Sequence, residues 1–312
     1  MLSPSETTTS ATEKRNWTGL GPYLVLVAAG ALFFAWPKGS ADPAHDSTLS
    51  VLGDLGGQLR YQRRVRDSQA LAESCKTWSC HCATVAIAHA LDMDARAALT
   101  SLLGAALRMC PNEPRLASMR FEAAVRSGAK GTEPMGIALL AADSQDPYAL
   151  YGVALGKFRA GSLSDAIVMG GHATRAGRGY PAWSLLGLSF YGQGNFQQAE
   201  VAFTEMLKLV PEDVPGLFHL ALARHKQGHY LAAREGYLHV ARRDPMHVET
   251  RYNLGVLAHS VGATDEARHH LAKLQKMPGA APSVKRLEEF LATPNSPPSV
   301  GGALREVAGT QP

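Results

Sequence analysis

At 312 residues the chain is long enough for one large or two ordinary domains, and its 46% hydrophobic content is that of a globular protein. A formal net charge of +4 with no concentrated basic stripe argues against a nucleic-acid partner. There is no glycine-rich phosphate loop ending in Lys-Ser or Lys-Thr, no His-Glu-x-x-His and no Cys-x-x-Cys-His, so no catalytic residue, cofactor or metal is expected.

Residues 1–17 are polar and aperiodic, a tail without a core. Leu20 to Trp36, "LGPYLVLVAAGALFFAW", is a run of 17 uncharged residues. As a helix it spans roughly 26 Å, slightly less than a bilayer's apolar core. Tyr23 and Trp36 sit near its two ends, where amphipathic rings favour the interface. Lys14 and Arg15 precede it and only Lys38 follows closely, which biases the N-terminus to the cytoplasm. The expectation is a single membrane anchor over residues 18–37 with everything from about residue 38 exported. Cleavage after an export signal near Gly39 to Ala41 is the alternative, which the bulky Trp36 and charged Lys38 fit poorly.

Residues 38–54 form a linker rich in Pro, Gly, Ser and Asp. A juxtamembrane helix, Leu55 to Ala72, then carries Arg60, Arg63, Arg64 and Arg66, and residues 55–77 end in the cysteine cluster "CKTWSCHC". Cys75, Cys80 and Cys82, with Cys110 further on, suit disulfides in an exported domain and allow three pairings. With His81 and His89 close by, zinc or copper ligation is the alternative.

A repeat of 34 residues follows. Blocks start at Tyr180, Val214 and Val248. Their seventh position holds Leu186, Leu220 and Leu254, and their eighth Gly187, Ala221 and Gly255. The fifteenth holds Gly194, Gly228 and Gly262, the twentieth Ala199, Ala233 and Ala267, and the twenty-fourth Phe203, Tyr237 and Leu271. Pro211 and Pro245 close two blocks, with Pro278 one place early in the third. Each block reads as two antiparallel helices. Small residues allow close approach, Gly makes the turn at positive φ, and Pro ends the second helix. Residues 147–281 carry this pattern and residues 78–146 a degenerate form of it. Residues 282–292 read as a capping helix with a polar outer face, and residues 293–312 as a disordered tail.

This pattern resembles the tetratricopeptide repeat (TPR) family. The resemblance implies an all-α, right-handed superhelical solenoid of helix–turn–helix repeats, here preceded by a single transmembrane helix. It also implies that positions 5, 9 and 12 of each first helix line a concave groove. Position 5 holds Tyr151, Ser184, Phe218 and Tyr252, and position 12 holds Phe158, Tyr191, His225 and His259, with Leu222 at position 9. Arg159, Lys226 and Asn253 resemble parts of the clamp that some members use for a terminal carboxylate. The rings either form an aromatic groove or pack between repeats.

Two functions follow from these features. The first is a non-enzymatic scaffold or adaptor that binds a peptide or helix of a protein partner. By resemblance it sits on the periplasmic side of a bacterial inner membrane, in envelope assembly or secretion. The second is a metal- or redox-handling protein in which Cys75, Cys80 and Cys82 act and the repeats dock it.

Overall fold

A computed structural model describes residues 65–293 together with Val51, Leu52, Leu55 and Gln58, which are helical. The anchor expected at 18–37 and the tail beyond residue 293 lie outside the described residues. Among those described, no helix is long and apolar enough to cross a membrane. Every regular element among them is an α-helix. The described residues fall into two compact units, divided between Ala86 and Ile87.

In the first unit, helix α1 (Val65–Ser74) leads to the opening turns of α2 (Cys80–Asp92). Leu52, Leu55, Leu71, Ala83 and Ala86 are buried here, as are Cys75 and Cys82. These two cysteines are bonded to each other, with their Cα atoms 4.7 Å apart.

The second unit runs through α3 (Arg96–Met109), α4 (Pro114–Ser127), α5 (Glu133–Ala142), α6 (Pro147–Arg159), α7 (Leu163–Arg175), α8 (Tyr180–Gly192) and α9 (Phe196–Leu209). It continues through α10 (Val214–Lys226), α11 (Tyr230–Arg243), α12 (Val248–Ser260), α13 (Thr264–Leu274) and the capping helix α14 (Ala281–Leu291). The hairpins α6–α7, α8–α9, α10–α11 and α12–α13 stack in order, because each second helix also packs on the first helix of the next pair.

Local chemistry explains the boundaries. Pro147, Pro181 and Pro215 stand in the opening turn of α6, α8 and α10, where a missing N–H costs nothing. Asp146 caps α6 by accepting from Tyr148 N and Ala149 N, and Asp213 caps α10 by accepting from Gly216 N. Within each hairpin the turn glycine takes φ near +80° at Gly161, Gly194, Gly228 and Gly262, a region that strains any residue with a Cβ. One close approach fixes the pair geometry. A Cβ added at Gly187 would lie 2.5 Å from Phe203 Cε1, so the eighth position must be small for the ring at the twenty-fourth to seat. Ala199, Ala233 and Ala267 are fully buried between paired helices. Leu186 and Leu254 are buried, whereas Leu220 is half-buried against Phe203, Met206 and Ala223.

Candidate functional site

The first helices α6, α8, α10 and α12 present a shared row at the ninth position of each block: Leu155, Leu188, Leu222 and Val256. All four are half-buried, each packed on its own segment of the core with part of its surface left to solvent. One turn further on stand Phe158, Tyr191 and His225, also half-buried. Their positions follow from helical periodicity, which places residues three apart on one face. The result is an apolar strip crossing successive helices, edged by rings. Burial pushes the Tyr191 hydroxyl above its ordinary titration range. It also pulls His225 down to about 4, with Lys226 adding to the shift, so this imidazole is neutral at pH 7. His225 Nδ1 stands 3.4 Å from the Tyr237 hydroxyl.

The ring positions do not share one environment. Tyr151 is buried at 5% exposure in the core of α6–α8, with the guanidinium of Arg126 5.0 Å from its ring centre. Phe218 is buried between Tyr237 and His247, with ring centres 5.9 and 4.9 Å away. His259 is buried edge-on to Phe290 of the capping helix, 5.1 Å between centres. These three rings are packing residues, so the accessible strip is narrower than the sequence pattern implied. Tyr252 is half-buried beneath Arg286, whose guanidinium lies 4.8 Å over its ring.

The clamp residues are separated as well. Arg159 donates to the carbonyls of Val125 and Arg126, the latter at 2.9 Å, and so closes the C-terminal end of α4. The Asn253 amide donates to Glu249 O one turn back at 2.8 Å, while Lys226 is exposed. No cationic clamp forms from these three side chains.

A second cluster went unread in the sequence. Arg178 lies in the loop between α7 and α8 with a side chain 4% exposed. Its Nε and Nη2 donate to both oxygens of Glu122 at 2.9 and 2.8 Å, and its Nη1 donates to Asp92 Oδ1 at 2.6 Å. Arg126 Nε donates to the same Glu122 at 2.8 Å. The Arg178 guanidinium also lies 4.8 Å over the Tyr148 ring. Burial pulls Arg178 down, but Glu122 and Asp92 outweigh it and hold the guanidinium firmly charged. Burial pushes Tyr148 up to about 12. Two cations and two anions thus neutralise each other, and the bidentate geometry suits a structural tie between α2, α4 and the α7–α8 loop. Nothing periodic marks these residues. The one available signal was an arginine set between Gly177 and Gly179, both at positive φ.

The cysteine cluster is oxidised: Cys75 and Cys82 are bonded to one another and no described cysteine is a free thiol. Metal ligation needs thiolates, which a disulfide does not offer, and Cys75 and Cys82 are fully buried. Among the described residues, no group of three or more His, Cys, Asp or Glu could hold a metal ion. The metal- and redox-handling alternative therefore finds no support.

No protein-family model matches the chain, and no curated protein matches it in sequence. Solved structures do resemble it. PilF of Pseudomonas aeruginosa is 17% identical, aligned over 66% of this chain and 97% of its own, with a TM-score of 0.53. YrrB, described as a TPR protein with an unusual peptide-binding site, is 17% identical over 60% of this chain and 97% of its own, with a TM-score of 0.52. MamA is 19% identical over 54% of this chain and 91% of its own, at a TM-score of 0.44. At such identities the likeness to PilF and YrrB shows a fold class alone, an all-α repeat array resembling TPR solenoids.

Proposed function

We propose that this protein is a non-enzymatic interaction scaffold that holds an apolar segment of a partner protein along the first helices of its repeats. The observation that carries the reading is the half-buried row Leu155, Leu188, Leu222 and Val256, with Phe158, Tyr191 and His225 beside it. Such a strip recurs once per block, so its spacing is set by the array. It suits an elongated ligand better than a small molecule. The peptide-binding site named for YrrB is consistent with that use of the fold.

The apolar run Leu20 to Trp36 adds a membrane tether to the proposal, with the repeats displayed on the exported side of a bacterial inner membrane and serving envelope assembly or secretion. A reporter active only outside the cytoplasm, fused after Pro312, should be active. A silent but expressed fusion would remove the topology from the proposal.

The binding claim is tested by screening an immobilised peptide library with the full chain, then repeating the screen with Leu188→Glu/Leu222→Glu. Apolar contacts at the centre of an interface are the ones whose loss costs most, so the double variant should lose captured peptides by at least about 30-fold in affinity. Both leucines also pack on the core, so the double variant should lose some stability, and its helical content and melting are measured to establish that it is folded at the temperature of the screen. Equal capture by both proteins would refute the groove.

A further inference from the structure

Inside the array, the first helix of each pair packs on its own second helix and on the second helix of the pair before it. Helix α14 packs on α12 and α13 as the first helix of a next pair would, and among the described residues no second helix follows it. Its inward face is filled: Ser283 and Leu287 are buried, and Phe290 meets the edge of His259. The neighbouring face is not. Ala281, Val284, Lys285 and Glu288 share one helical face by their spacing, and none of them is buried.

These four residues wall a cavity of about 330 Å³ whose apolar floor is Leu274, Met277 and Ala280, from the end of α13 and the turn after it. Charge stands only at the rim. Glu288 accepts from the neutral Gln275 amide at 3.0 Å and has no cation within ion-pair distance among the described residues. Lys285 lies 3.9 Å from Glu289 on its own helix, but both are exposed, so that pair contributes little. Beyond Thr293 the sequence holds two charged residues, Arg305 and Glu306, and they fall between Leu304 and Val307. Apolar side chains for the floor and opposite charges for the rim thus occur together in one short segment. The segment is within reach. Residues 292–303 extend to about 40 Å, whereas α14 from Leu291 back to Ala281 is about 15 Å long. Gly301 and Gly302 stand just ahead of it, where a chain reverses without a Cβ clash.

We propose that residues 303–307 dock on their own chain in this cavity, with Leu304 and Val307 on the floor of Leu274 and Met277 and with Arg305 and Glu306 at the rim beside Glu288 and Lys285. The segment closes the end of the array where the second helix of a next pair would otherwise lie, as the outermost unit of a stacked array needs a covered inner face and a polar outer one. A second copy of the chain is the rival occupant. Tethering decides between them, because a short linker holds the segment at an effective concentration on the order of millimolar, so contacts too weak for a separate molecule suffice. The proposal goes beyond the binding reading and stands without it.

Two measurements on the full chain test this. With the photo-crosslinking residue p-benzoylphenylalanine in place of Ala308, which leaves Leu304 and Val307 intact, irradiation of a dilute sample should join position 308 to residues 274–288 of the same chain. Hydrogen–deuterium exchange should then show that Leu304→Glu/Val307→Glu lowers protection of residues 275–288 to the level of a chain ending at Thr293, while α6–α11 keep theirs. Neither change touches a residue of the described helices, so loss of the fold does not confuse the result. Crosslinks between two chains would assign the cavity to a second copy and overturn the proposal. Crosslinks that land elsewhere overturn it as well, and so does protection of residues 275–288 that is the same in wild type, the double variant and the shortened chain.

Discussion

At the residue scale, two kinds of position hold the array together, and they fail differently. Gly187 and Phe203 are complementary by volume: the ring fits because the facing residue has no side chain. The Arg178 cluster is complementary by charge, and every member depends on the others. Removing one cation leaves Glu122, with no exposed side-chain surface, short of a partner. Arg178→Met should therefore cost on the order of 3–5 kcal/mol in urea unfolding. Glu122→Met in the same chain should restore part of that loss, because a buried pair replaced by apolar groups is far less costly than a buried pair broken. If Arg178→Met unfolds at the wild-type midpoint, the cluster is energetically idle. The sequence concealed this cluster because Asp92, Glu122 and Arg178 are related by no period and come from three separate elements. It showed Gly187 plainly, because the eighth position is small in every block.

At the element scale, each hairpin is one folding unit whose second helix completes the core of the first. The 34-residue period made the hairpins from α8 to α13 legible, since Tyr180, Val214 and Val248 are the first residues of α8, α10 and α12. The ring stripe was legible as a pattern but not as a surface. Tyr151 and Phe218 occupy equivalent positions to half-exposed Tyr252, yet both are buried, by Arg126 and Arg178 in one case and Tyr237 and His247 in the other. Such neighbours come from other elements, which no single block can reveal. Helix α10 shows what this burial does. Burial lowers both His219, beside His247, and His225, beside Lys226, the latter to about 4. A group lowered on folding is protonated more readily once unfolded, so the contribution of both is full above about pH 6.5 and is lost as pH falls, for His225 towards 4. Between pH 7 and pH 4.5 the chain should lose on the order of 2 kcal/mol through His225, and His225→Leu should flatten that slope. A slope identical in the variant and wild type would place the acid sensitivity elsewhere.

For the repeat array as a whole, stability should distribute along the chain, because each pair touches its neighbours and little else. A central core residue then serves two neighbours and a terminal one serves a single neighbour. Leu186 lies in α8, between the α6–α7 and α10–α11 hairpins, at 5% exposure. Leu287 is fully buried on the capping helix, where its Cδ2 lies 2.7 Å from the position a Cβ on Gly255 would take. Truncating either to Ala removes similar chemistry, at about 2–5 kcal/mol of local cost. The reach of the damage should differ. Leu186→Ala should lower exchange protection across α6 to α11, while Leu287→Ala should lower it only in α12, α13 and α14. The expectation follows from the connectivity, since α14 packs on α12 and α13 while α8 packs on helices of both adjoining hairpins. Were Leu287→Ala to lower protection equally from α4 to α14, the array would be one cooperative block. The repeat would then be a feature of its sequence that its energetics do not share.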